Sequence, residues 1–168
     1  MAKNELSSIK ELLQKHLIDE MDEIVTNHPF HAFCLMGIAI EVFGKLIKPG
    51  REITDVGTSE EDFKYAIDNL EAFEDYRELP FDLFSSLRCS LVHQMLPGKD
   101  IILSPSIDAP KQRKLGTPQM YARVKDAWAE VLESEEAKKK IYKKGGVIKD
   151  GDTGGTKSNI AIQIIKGK

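Results

Sequence analysis

The feature that most constrains this chain is the stretch from Pro29 to Lys48, which is apolar on nearly every side. Phe30, Phe33, Leu35, Met36, Ile38, Ile40, Val42, Phe43, Leu46 and Ile47 leave it no continuous polar face. A helix of that kind must be covered all round, so it belongs at the centre of a fold. Thr26-Asn27-His28-Pro29 restarts the chain just before it, with Asn27 suited to the N-cap and Pro29 to the first turn. Pro49-Gly50 ends it. Gly44 marks a place where a neighbouring helix can approach closely. Glu41 is the odd residue, because a carboxylate on a buried helix is costly unless paired. Two readings of it stand: a cationic or hydrogen-bonding partner inside, or a thin exposed edge.

The remaining segments supply helices to wrap this one. Over 5–26, Leu6, Ile9, Leu13, Leu17, Met21 and Ile24 recur at three- and four-residue steps, the mark of an amphipathic helix. Thr58-Ser59-Glu60-Glu61 reads as an N-terminal cap with acidic first-turn residues. The helix it opens, about 59–73, has Phe63, Ala66, Ile67 and Leu70 as its stripe, and 74–79 is an acidic connector. Pro80 opens a further helix, about 80–95, with Phe81, Phe84, Leu87, Leu91 and Met95 as its core face, and Leu96-Pro97-Gly98 stops it. A last long helix covers about 118–144, with Tyr121, Val124, Ala127, Trp128 and Val131 facing inward. Ile101-Ile102-Leu103 is a short strand candidate, and 104–117 reads as an exposed loop. After Gly145-Gly146, a natural C-cap, the tail to residue 168 reads as a hairpin that could pair with 101–103 or stand as an appendage. The expected fold is mainly α, an up-and-down bundle of about four to five helices with a small β element at 101–103 and in the tail. Residues 1–144 form the bundle domain, and 145–168 form the Gly/Lys-rich tail.

Composition narrows the class. The chain has 168 residues, 41% hydrophobic and 30% charged, the balance of a globular protein able to bury its own core. The longest apolar runs fall short of the roughly 20 residues that span a bilayer, so no membrane partner is expected. Met1-Ala2-Lys3-Asn4-Glu5 leads into a polar helix with no secretory pattern. The two cysteines, Cys34 and Cys89, sit in apolar segments and read as small core thiols. These features imply the cytoplasm. Charge is uneven: residues 1–83 carry 8 Lys/Arg against 18 Asp/Glu, and 84–168 carry 16 against 9, for a net −3. That split either makes a basic surface that attracts phosphate, with Lys138-Lys139-Lys140 and Lys143-Lys144 as its strongest part, or it mixes on one folded surface.

Most motif candidates fail on their own chemistry. Gly151 to Ser158 has Thr156 where a phosphate loop needs its second glycine, and no helix follows it. Asp150 and Asp152 begin like a calcium loop, but Gly154 and Ala161 fill ligand positions. His28 and His31 have no nearby carboxylate and make a poor metal site. No cofactor and no metal are expected. What remains is Phe81-Asp82-Leu83-Phe84-Ser85-Ser86-Leu87-Arg88-Cys89-Ser90-Leu91-Val92-His93-Gln94, an apolar helix carrying an arginine, four residues, then a histidine, before a Pro-Gly stop.

This segment resembles the HEPN superfamily, short helical bundles with an Arg, four to six residues, then a His. The outline of the preceding helices, including Ile40-Glu41-Val42-Phe43-Gly44, extends the resemblance over roughly residues 5–144. The resemblance implies a metal-independent endoribonuclease acting on RNA, with Arg88 stabilising charge on the phosphate and His93 as general acid or base. It also implies a homodimer whose cleft uses two copies of the helix. The chemistry is sound: imidazole moves protons near neutral pH, guanidinium binds phosphate through paired donors, and RNA supplies its own nucleophile. Glu41 and Ser90 are the expected supporting residues. The residue after the arginine, often polar in active members, is Cys89 here. On a straight α-helix, Arg88 and His93 stand about 140° apart, with Arg88 inward and His93 outward. The second reading follows from that geometry: a non-catalytic helical module, with Arg88 paired to Glu41, that binds a partner protein or a nucleotide.

Overall fold

The computed structural model describes residues 8–79, 81–94 and 96–142. The tail from 143, together with Leu6, Pro80 and Met95, lies outside them. The fold is mainly helical with a small two-stranded parallel sheet. The first helical stretch runs as α1 (Ile9–Leu13), a π-helical turn (Gln14–Asp19) and α2 (Met21–Asn27). Ser8 caps it through a capping box with Glu11, the side chain of each accepting from the other's backbone N–H.

The central helix α3 spans Pro29–Ile47. Its N-cap is His28, with no side-chain cap bond, and Asn27 instead closes α2, which corrects the expected cap. Pro29 occupies the first turn as its fixed φ favours. The helix stops because Lys48 precedes a proline and is pushed to extended backbone, φ −76° and ψ 123°. Phe33, Met36, Ile40, Phe43 and Leu46 are fully buried, and burying a side chain of this size is worth about 1.5–3 kcal/mol. With 19 residues, α3 is long and apolar enough to cross a membrane, so the expectation that no segment approaches that length does not hold. In this fold its apolar residues form the core.

Against α3 pack α2, α4 (Ser59–Asn69), α6 (Thr117–Glu133), α7 (Glu135–Ile141) and a second π-helical turn at Phe84–Cys89. The expected helix over 59–73 ends at Asn69, and the connector becomes a 3-10 helix, Glu71–Tyr76. Its opening N–H groups at Glu71 and Ala72 donate to the Glu130 carboxylate at 2.8 Å, which takes up groups the short helix cannot satisfy. The expected last helix is two. Ser134 takes extended backbone between α6 and α7, and its hydroxyl accepts from Ala137 N–H. Trp128 of α6 stacks on Phe43 with ring centroids 5.6 Å apart.

The 101–103 strand exists as β1 (Ile102–Ser104), but its partner is β2 (Lys114–Gly116), drawn from the supposed loop. The two run parallel, with Leu103 opposite Leu115. Leu115 is fully buried and gives the small sheet its anchor. Arg113 precedes β2 in the left-handed region, φ 62°.

Some charges of the two halves meet across the fold. Arg123 reaches Asp75 at 2.5 Å, and Arg88 reaches Glu41 at 2.8 Å. Lys138 and Lys139 of the lysine run pair with Glu135 and Glu136, and Lys140 is buried. Lys143 and Lys144 lie outside the described residues.

Candidate functional site

The Arg88 segment is not a plain α-helix. Asp82 opens it by accepting the Ser85 N–H and hydroxyl through its two carboxylate oxygens, at 3.2 and 3.0 Å. The turn Phe84–Cys89 is π-helical, with the Ser90 N–H reaching back to the Ser85 carbonyl. The Ser90 hydroxyl donates to that same carbonyl at 2.8 Å, so Ser90, expected as a supporting residue, acts on its own helix backbone. The last turn, α5 (Ser90–Gln94), is α-helical. Arg88 therefore sits in a wider turn than His93, and the 140° offset of a straight α-helix does not describe the step. Turns of this type occur frequently at functional sites.

The Pro-Gly stop folds back under this helix. Gly98 N–H donates to the Ser86 carbonyl at 2.8 Å, and a Cβ on Gly98 would lie 2.7 Å from Ser86 Cα. No other residue fits that approach, so the glycine ties the stop to the turn that carries Arg88.

Arg88 and Glu41 meet. Arg88 donates from Nε to Glu41 Oε2 at 2.9 Å, and its Nη2 forms an ion pair with the same oxygen at 2.8 Å. The other oxygen, Oε1, accepts from the Ser59 hydroxyl at 2.9 Å and stands 3.5 Å from Lys45 Nζ. Glu41 is buried, so of its two readings the paired one holds. A carboxylate there is tolerable because two cations and a hydroxyl surround it. Arg88 keeps 16% of its side chain exposed, and Nη1 has no acceptor among the described residues.

His93 is exposed, and its imidazole has no hydrogen-bond partner among the described residues. Within one chain it does not join the Arg88–Glu41 pair. Beside it, Val92 lines an apolar groove of about 520 Å³ together with Ile24, His28, His31, Cys34, Leu35 and Ile38. His28 and His31 face each other edge to face at 5.8 Å, and no cluster of metal-ligating side chains forms among the described residues. Cys34 and Cys89 are free and half-buried rather than fully in the core. Burial pushes the Cys34 thiol above its ordinary pKa.

A second polar cluster escaped the sequence reading. Tyr76 donates to Asp108 Oδ2 at 3.0 Å, and Arg123 lies over the Tyr76 ring at 5.1 Å and pairs with Asp75. Burial first, and the Asp108 carboxylate second, raise the Tyr76 hydroxyl pKa. The cluster ties the 3-10 helix to the sheet segment and to α6. Its members are 32 and 47 residues apart along the chain, with no spacing that could announce them. Known protein families, characterised proteins and solved structures offer no match to this chain.

Proposed function

We propose that the chain is a HEPN-like, metal-independent endoribonuclease whose site is completed by a second copy, in the cytoplasm where RNA is abundant. The observation that carries the reading is the Arg88 guanidinium, held on Glu41 by one edge with Nη1 left open, one helical turn before an exposed imidazole. In the reaction, the RNA 2′-hydroxyl loses its proton to His93 and attacks the adjacent phosphate. The bond to the 5′-oxygen breaks, and that oxygen takes up a proton, leaving a cyclic phosphate and a 5′-hydroxyl. Arg88 offsets the charge that builds on the phosphate oxygens.

One chain does not bring the two side chains together, so a second copy is part of the proposal. We place the second copy on the apolar groove that Val92 lines, next to His93 in the chain. Purified protein is expected to cleave single-stranded RNA in EDTA, and His93→Ala to remove at least about a hundredfold of that rate, the usual range for a proton-transfer group. Equal cleavage by the variant would take His93 out of the mechanism.

The second reading is a non-catalytic helical module that binds a partner protein or a nucleotide. The engagement of Arg88 by Glu41 favours it, since that pair needs no substrate to explain it. It predicts a stable complex on pull-down and no cleavage at any salt concentration.

A further inference from the structure

The surroundings of Glu41 are more elaborate than a core ion pair needs. Two glycines flank it on α3. A Cβ on Gly37 would touch Arg88 Cα at 3.4 Å, and one on Gly44 would lie 1.7 Å from the Asp62 carbonyl oxygen. The backbone of α4 therefore presses onto α3 on one side of the carboxylate, and the Arg88 turn lies in ordinary contact on the other. Three elements then meet on its two oxygens: α4 through Ser59, α3 through Lys45 and the π-helical turn through Arg88. Glu41 has little freedom left to turn, and Arg88 can rotate only by breaking its Nε hydrogen bond and its Nη2 ion pair to one oxygen.

We infer that Glu41 is a positioning residue that fixes the Arg88 guanidinium with its Nη1 edge directed to a phosphate diester. The inference rests on the RNA reading for its reaction, but the posture of Arg88 can be measured without cleavage. Glu41 takes no proton and touches no substrate. It settles which guanidinium edge is spent inside and which remains for the ligand. Ser59 contributes at one remove, by holding the opposite carboxylate oxygen.

The test pairs kinetics with nitrogen-15 NMR of the Arg88 Nε–H. In the wild-type protein that proton is expected to exchange slowly, and its resonance to shift when a 2′-deoxy oligonucleotide, which lacks the nucleophile, is added. In Glu41→Gln, kcat is expected to fall on the order of a hundredfold, the loss that follows a small misplacement of a reacting group, with KM unchanged. The oligonucleotide-induced shift is expected to vanish. Ser59→Ala, which leaves the carboxylate in place, keeps the test open if Glu41→Gln does not fold, and is expected to lower kcat less in the same pattern. Wild-type cleavage with undiminished kcat in both variants would overturn the positioning role and leave the RNA reading standing. No cleavage, but a shift that is lost in the variants, would remove the nuclease and keep the positioning. Absence of both cleavage and shift would remove both.

Discussion

The two ends of α3 are built on opposite plans. Its C-terminal half is sealed. Asp62, fully buried, accepts from Arg51 Nε at 2.9 Å and from the Thr58 hydroxyl at 2.5 Å. Lys140 of α7 donates from Nζ to the carbonyls of Lys45 and Lys48, at 2.8 and 2.7 Å, so a buried cation closes the negative end of the helix. Lys48 pairs with Glu61, whose carboxyl is held below its ordinary pKa chiefly by that hydrogen bond. The N-terminal half has no side-chain cap and borders the open apolar groove. Buried charges with fixed partners lock one end, while apolar atoms at the other remain for something to cover.

Gly44→Ala strikes the sealed end hardest. A methyl 1.7 Å from a backbone oxygen forces α3 and α4 apart, and about 3 kcal/mol or more of stability should be lost. Gly37→Ala is its control, since the same methyl meets Arg88 Cα at an ordinary 3.4 Å and should cost under about 1 kcal/mol. Equal melting temperatures for the two would break the contrast. Lys140→Met keeps the stem and removes the cation, leaving two carbonyls without their donor. About 2 kcal/mol of destabilisation is expected in urea, and an unchanged midpoint would mean that the end is not closed by Lys140. Leu35→Glu, in the groove, is the smallest change to the single chain, at about 1 kcal/mol or less. It should abolish self-association in sedimentation or light scattering. A variant that associates as the wild type does would place the contact elsewhere.

The central helix was legible because its signal is local: apolar residues on every side and a Pro at each boundary. The inward residues of α6 and the Phe84, Leu87 and Leu91 face were legible for the same reason, and all are buried. Ser134 was missed because the apolar period runs through it without a break. The parallel pairing of β1 with β2 was missed because a three-residue strand among prolines carries no usable period. At the candidate site, the burial of Glu41 on an apolar helix drew notice from residue type alone, whereas Arg88, His93 and Ser90 were named through the resemblance. The π-helical turn could not be named, since it is a one-residue widening that leaves the apolar pattern nearly intact.

Period and punctuation in the sequence determined that this is a mainly helical protein, with Pro29–Ile47 at its centre and a carboxylate at 41 either paired inside or on an exposed edge. The tertiary structure decided between those readings: Glu41 is buried and paired with Arg88, 47 residues on along the chain. The physical reason is that hydrophobic periodicity reports which side of a segment is buried, whereas an ion pair between distant segments depends on how helices press together. At one such contact Gly44 is decisive, because its missing side chain lets α4 close on α3.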